Sequence, residues 1–283
     1  MSIDLGMVGH EWDAGRHSWT ARDSMLYSIG VGAGAVDPLL ELEYTTENTA
    51  GVVHRTLPTM AVVLGGERGL PRLGDFDFAN VLHTEQSVEV PRPIPTSGNA
   101  QVTGRIVGIY DKGRAAQVAM ESTITDADTG VLIARTTSSI FIRGEGGFGG
   151  DRGPSSTWAA PDGPADEVIT LGTRRDQALL YRLSGDLNPL HSDPVLAASL
   201  GFERPILHGL CTFGFTGRAL IASVCDGRPD LFGSMSARFS APVLPGEELA
   251  VHVWRSEAGA VFRTHVGDRV VLDRGSFVAA MPA

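Results

Sequence analysis

Lysine and cysteine are the residue types this 283-residue chain nearly does without. Lys112 is the single lysine; arginine supplies the other 22 cations against 33 Asp and Glu, which leaves a net charge of −10 at pH 7. A general nucleic-acid binder needs a basic face to neutralise phosphates, so this balance argues against that class. It also leaves Lys112 as the one candidate for a Schiff-base or P-loop lysine. Cys211 and Cys225 are too few for a disulfide framework and form no CxxC pair; they read as two buried thiols in a reducing compartment. Long apolar runs are missing as well. The longest stretches free of Asp, Glu, Lys and Arg, 24–36 and 205–217, hold 13 residues each, short of the ~20 that a membrane span needs. Residues 1–12 lack a basic-then-apolar leader pattern and 279–283 carry no peroxisomal tripeptide, so a cytosolic protein without a membrane span is expected.

What the chain does have is enough apolar material for a large core: 42% hydrophobic and 20% charged residues over a length that suggests two units of about 140 residues. The units are similar to each other at an offset of ~150. Tyr27 answers Tyr181, Asp37-Pro38-Leu39 answers Asn188-Pro189-Leu190, His54 with Thr59 answers His208 with Thr212, and Pro95 and Pro245 each precede alternating strands. In both copies helical material comes first and strands last. Valine-, isoleucine- and threonine-rich runs at 100–110, 115–125 and 132–142, and again at 249–254, 260–266 and 269–278, are separated by Asp/Gly hairpin signals. This predicts an α+β fold with a helix packed on an antiparallel meander in each copy, two copies edge to edge making one continuous sheet. The division is 1–143, a Gly/Pro-rich linker at 144–168, and 169–283. The linker holds a formal GxGxxG at 144–149, but Asp151-Arg152-Gly153-Pro154 follows where a dinucleotide loop must open a helix.

The densest polar group is Tyr181-Arg182-Leu183-Ser184-Gly185-Asp186-Leu187-Asn188-Pro189-Leu190-His191. A helix is expected to end at Gly185, a turn to follow, and Asp193-Pro194 to start a short helix through Leu200. Asp186 and His191, five residues apart across a kinked turn, suit a carboxyl and an imidazole on opposite sides of one water, which is what adding water across a double bond requires. On the residues alone a second reading stands beside it, in which Asp186 and Asn188 cap the turn and His191 bonds to backbone. Glu203-Arg204-Pro205-Ile206-Leu207-His208-Gly209 then leads into an apolar stretch at 210–224, read as a long central helix. Free N–H groups in its first turn, with Gly209 permitting close approach, would stabilise negative charge on a carbonyl oxygen; alternatively Gly209 relieves packing at the helix start. Cys211 is read as a core residue rather than a nucleophile paired with His208.

The segments 181–191 and 202–209 resemble the (R)-specific enoyl-CoA hydratase signature of MaoC-like dehydratases and of the hydratase 2 part of peroxisomal multifunctional enzymes. The first half is similar to the same proteins through 27–34, Leu57-Pro58-Thr59 and Leu82-His83-Thr84-Glu85-Gln86, so the resemblance spans nearly the whole chain. It implies a double hot-dog, two curved antiparallel sheets each wrapping a central helix, usually as a homodimer. It further implies Asp186 and His191 as catalytic pair, Asn188 as their positioning neighbour and the Gly209 amide as oxyanion donor, with Arg182, Arg204, Arg238, His208 and His83 as candidate substrate contacts. The first copy places Ala35 and Leu40 where Asp186 and His191 stand, hence one active site per chain. Pro58 suits a central helix interrupted to admit an acyl tail. Thr84 replaces the family's usual glycine, and the segment 83–86 is assigned to support. The implied reaction is reversible hydration of a trans-2-enoyl-CoA to a (3R)-hydroxyacyl-CoA in fatty-acyl or sterol side-chain metabolism, with no metal or redox cofactor and with acyl-CoA or an acyl carrier protein thioester as partner. A hot-dog thioesterase and a non-catalytic acyl-thioester binder are the competing functions.

Overall fold

The computed structural model describes residues 3–65, 70–155 and 158–280. The first copy comprises β1 (Glu11–Trp19), α1 (Ala21–Gly30), α2 (Leu42–Thr45), α3 (Ala61–Leu64), β2 (Val81–Glu89), β3 (Gly98–Asp111), β4 (Ala115–Asp126) and β5 (Leu132–Arg143). The second comprises β6 (Glu167–Gly172), α4 (Gln177–Tyr181), α5 (Pro194–Ser199), α6 (Gly209–Val224), β7 (Phe232–Phe239), β8 (Glu248–Ser256), β9 (Gly259–Val266) and β10 (Arg269–Ala279). The three strand runs expected in each copy are β3 to β5 and β8 to β10. In β3, Ala100, Val102 and Ile106 are buried while Thr103, Arg105 and Val107 are exposed, the alternation of a sheet with one covered face.

All ten strands join one antiparallel sheet in the order β1-β3-β4-β5-β2-β7-β10-β9-β8-β6. Read outward from the centre, each half repeats the other: β2-β5-β4-β3-β1 against β7-β10-β9-β8-β6. The two copies thus join edge to edge in one continuous sheet, as expected, because β2 and β7 pair directly. Ser87 faces Ser236, 149 positions further on, with Glu85, Gln86, Val88 and Glu89 opposite Arg238, Ala237, Met235 and Ser234. The offset of this pairing matches the offset of the repeat, as a local two-fold axis between Ser87 and Ser236 demands. Pairing at the centre also removes an exposed strand edge from each copy.

Two expectations need correcting. Strands do not all follow the helices: β1 and β6 precede them and close the two ends of the sheet. Glu167 and Val168, placed in the connecting segment, begin β6 by pairing with Val253 and His252 of β8. The glycine loop at 144–149 is fastened to the β3–β4 hairpin instead of opening a helix: the Asp111 carboxylate accepts the N–H groups of Gly147 (2.9 Å) and Gly149 (2.7 Å). Lys112, on the same hairpin, donates to the backbone carbonyl of Arg152.

The central helices differ as Pro58 suggests. α6 is buried without a break from Cys211 to Ile221, whereas its counterpart is one 3₁₀ turn, Pro58–Met60, followed by the four residues of α3. α6 runs against the first copy so closely that a Cβ on Gly214 would come within 2.5 Å of Val31 Cγ1 and 2.9 Å of Tyr27 Oη. Tyr27 and Tyr181, the repeat-related tyrosines, are both fully buried with ring centroids 6.1 Å apart. Cys211 and Cys225 are core residues, and burial raises both thiols above their ordinary pKa. Among the described residues no helix is long and apolar enough to cross a membrane.

Candidate active site

The catalytic-loop candidates sit where α4 gives way to irregular chain. α4 tightens into a 3₁₀ turn at Arg182–Ser184, and Gly185, at φ 126°, turns the chain out of it. Asp186 Oδ1 then accepts the Asn188 N–H at 3.1 Å, and Asn188 Oδ1 accepts the Leu190 N–H at 3.0 Å, which caps the 3₁₀ turn Pro189–His191. Next, Asp193 caps α5 by accepting from Val195 and Leu196. Both turn-capping and the convergence of side chains are realised: the caps set the turn, and the turn carries His191 inward to 8% exposure.

His191 Nδ1 lies 2.9 Å from the carbonyl oxygen of Ile206. A carbonyl only accepts, so Nδ1 carries the proton and Nε2 presents a lone pair. The His208 ring, immediately before α6, stacks on His191 with centroids 3.7 Å apart and planes inclined by 28°. Its Nε2 lies 3.2 Å from the carbonyl oxygen of Asp186. Burial lowers the pKa of His191 below its ordinary 6.5 and takes that of His208 down to about 4, the His191 ring adding to the effect. Both imidazoles are thus neutral at pH 7.

Gly209 is the first residue of α6. The N–H groups of Cys211 and Thr212 turn back to the His208 carbonyl, while those of Gly209 and Leu210 have no intrahelical acceptor and point out of the helix end. Phe239 of β7 closes this end, since a Cβ on Gly209 would come within 3.1 Å of its ring. Phe239 in turn meets His83 of β2 edge-on at 4.9 Å. Burial pushes the His83 pKa down to about 4, and the Asp186 carboxylate is near enough to oppose that shift. Thr84, the departure from the family pattern, is buried and donates its hydroxyl to the Ser139 carbonyl at 3.0 Å. The first copy therefore sends His83 toward a site built by the second, and 83–86 is a central strand of the sheet.

The candidate arginines separate. Arg204 lines a cavity of about 290 Å³ together with His191, Ser192 and Arg175. Arg182 sits beside His208, whose protonation its charge opposes. Arg238 corrects the sequence reading. It pairs in register with Glu85 and Asp273 on the face of β7 opposite to Ala237 and Phe239, away from α6. Arg175 was missed. It follows Arg174, which is paired with Asp176 at 2.9 Å, and no local pattern marks it as sharing a cavity with His191. A second cavity, of about 220 Å³, lies across the catalytic loop and is lined by Leu183 to Gly185 on one side and by Tyr27, Met60 and Leu64 of the first copy on the other.

Asp186, His191 and His208 bring ligand-type atoms within 4.8 Å of one another. That spacing suits a metal ion, but the two imidazole planes stack instead of converging on a point, and one nitrogen of each is committed to a backbone carbonyl. What the arrangement supplies is a neutral base, a neighbouring carboxyl, and helix-end N–H donors around one point.

A doubled sheet-on-helix unit with one Asp/His site at a helix N-terminus defines a double hot-dog protein of the hydratase type. The comparisons with known proteins agree with this. Residues 17–144 match the MFE-2 hydratase 2 N-terminal domain and residues 157–274 match the MaoC like domain. The chain is 44% identical to 3-hydroxyacyl-thioester dehydratase Y of Mycobacterium tuberculosis, covering 98% of each chain, and 42% identical to enoyl-CoA hydratase ChsH3 of the same organism, covering 90% of each. Among solved structures, a MaoC-like dehydratase from Phytophthora capsici superposes with a TM-score of 0.87 at 30% identity, over 99% of this chain and 98% of that one. The chain belongs to the MaoC-like dehydratase family, in its hydratase 2 branch.

Proposed function

We propose that the protein is a hydro-lyase that adds water reversibly across trans-2-enoyl-CoA to give a (3R)-hydroxyacyl-CoA. The observation that carries this reading is the free Nε2 of a buried, neutral His191 beside the Asp186 carboxyl at the N-terminal end of α6. His191 Nε2 takes a proton from water as the water oxygen bonds to C3. The electron pair of the double bond moves to the thioester oxygen, where the Gly209 N–H receives the charge. The proton taken up by His191 passes to the neighbouring Asp186 carboxylate and from there to C2, which leaves His191 neutral and Asp186 a carboxylate as at the start. The reaction uses no cofactor beyond the CoA of its substrate.

Arg175 and Arg204 flank the cavity that opens on His191 and suit the anionic carrier portion of the thioester. The cavity across the loop, walled by Tyr27, Met60 and Leu64, suits the acyl tail, in space left by the interrupted first-copy helix. We further propose a cytosolic homodimer acting in fatty-acyl or sterol side-chain metabolism.

The test is loss of conjugated-thioester absorbance on a panel of trans-2-enoyl-CoA substrates, with chiral analysis of the product. Asp186→Asn and His191→Gln are each expected to lower kcat by about 10²–10⁴-fold. Turnover within a few-fold of the parent in both variants, or release of free CoA thiol in place of hydration, would falsify the assignment.

A further inference from the structure

Resting on that reaction, we propose that His208 is a positioning residue: its Nε2–H holds the backbone carbonyl of Asp186 and its ring face holds the ring of His191, so that acid and base keep one spacing through the proton transfers. The side chain is not explained by its place at the start of α6. The backbone carbonyl of His208 already accepts from Cys211 and Thr212, and the imidazole makes no capping bond. It is instead turned into the site, 1% exposed, between Tyr181 (4.9 Å, planes at 56°) and His191 (3.7 Å, 28°).

Because its Nε2 faces the Asp186 carbonyl at 3.2 Å, Nε2 carries the proton, and Nδ1 is a bare nitrogen with no partner among the described residues. The charged and titratable groups that face it are the Asp186 carboxylate, the Arg182 guanidinium, the His191 ring and the Tyr181 phenol, with His83 of β2 beyond Asp186. The Asp186 carboxylate and the hydrogen bond to the Asp186 backbone carbonyl favour a second proton, and burial with the His191 ring outweighs them. When His191 becomes an imidazolium, the ring stacked on it therefore remains neutral and does not repel it. Two contacts, one to each reacting residue, tie the loop and the 3₁₀ turn to a single rigid ring. A misplacement of about 1 Å at such a pair costs on the order of 10²-fold in rate.

Two variants separate the contacts. His208→Gln presents an amide N–H near the place of Nε2 and loses the stack. It is expected to lower kcat about 10-fold, and, as water reaches His191, to move the acid limb of kcat/KM upward toward the ordinary histidine range. His208→Phe keeps a stacked ring and strands the Asp186 carbonyl; kcat is expected to fall by about 10²-fold with KM nearly unchanged. Folded variants with parent kcat and an unmoved limb overturn the proposal, as does a fall in kcat that only follows the folded fraction while the His208→Gln limb stays put. If the variants do not fold, the ¹⁵N resonances of the parent imidazoles decide. A neutral Nε2–H tautomer at His208 down to pH 5.5 supports the proposal, and a proton on Nδ1 or titration near 6.5 overturns it. A parent without enoyl-CoA hydration defeats the proposed reaction instead, and leaves the tautomer result to stand on its own.

Discussion

In the proposed mechanism His191 acts as a base, which requires its neutral form, and burial enlarges the pH range over which it stays neutral. Its folded pKa lies below the ordinary 6.5, so hydration measured as kcat/KM should hold as pH falls through 6.5 and decline only below it; a pH–rate profile checks this, and an acid limb at or above 6.5 contradicts it. The same burial has a stability consequence at His208. A group with a depressed folded pKa, about 4 here against 6.5 in the unfolded chain, contributes stability that is complete above pH 6.5 and lost as pH falls toward 4, because the unfolded state takes up its proton first. At this scale Asp186, Asn188 and His191 were legible in the sequence, as were their turn caps. The part played by His208 was not: its stacking partner is 17 positions away and a histidine before a glycine shows nothing of its tautomer. Nor was the outward direction of Arg238, which depends on strand alternation in a strand that sequence alone did not reveal.

Among the elements, α6 is the one on which both halves rest. Gly214 is buried against Val31 and Tyr27, themselves fully buried, so Gly214→Ala meets side chains that have nowhere to move. Overpacking of this kind costs about 1–3 kcal/mol, which outweighs the roughly 0.5–1 kcal/mol that alanine gains over glycine inside a helix. The variant should therefore unfold at lower urea concentration than the parent, and an unchanged midpoint would show that the two halves yield to each other more easily than their packing suggests. The meander strands β3 to β5 and β8 to β10 were readable because one face of each is apolar at period two and Asp/Gly turns bound them. β2 was assigned to support without being recognised as a central strand, because its buried face is Thr84, Gln86 and Val88, mostly polar. Its burial comes from β5 and β7 on either side, and neither partner is adjacent in the chain.

For the whole molecule, the two copies are one body with one site. If residues 144–283 are produced alone, β7 loses its five registered pairs with β2, and α6 loses the face that receives Gly214. An open strand edge beside an uncovered apolar helix favours self-association. The fragment should elute as aggregates or higher oligomers and show no hydration; a soluble monomer with parent activity would contradict the shared core. The net charge of −10 takes on a definite meaning at this scale too, since the anionic thioester carrier of the proposed reaction would have to be met locally, with Arg175 and Arg204 lining the cavity at His191 as the candidates. The sequence by itself determined the doubling, the α+β class and the family, and singled out Asp186 and His191 as the candidate pair, because these rest on local periodicity, turn chemistry and a contiguous motif. Tertiary structure alone decided that β2 and β7 are the strands that join the copies, that His83 of the first copy approaches the site of the second, and that Arg175 lines a cavity with His191 while Arg238 lies on the opposite face of β7. Each of these depends on a pairing or packing between residues far apart in the chain, where no short-range pattern leaves a trace.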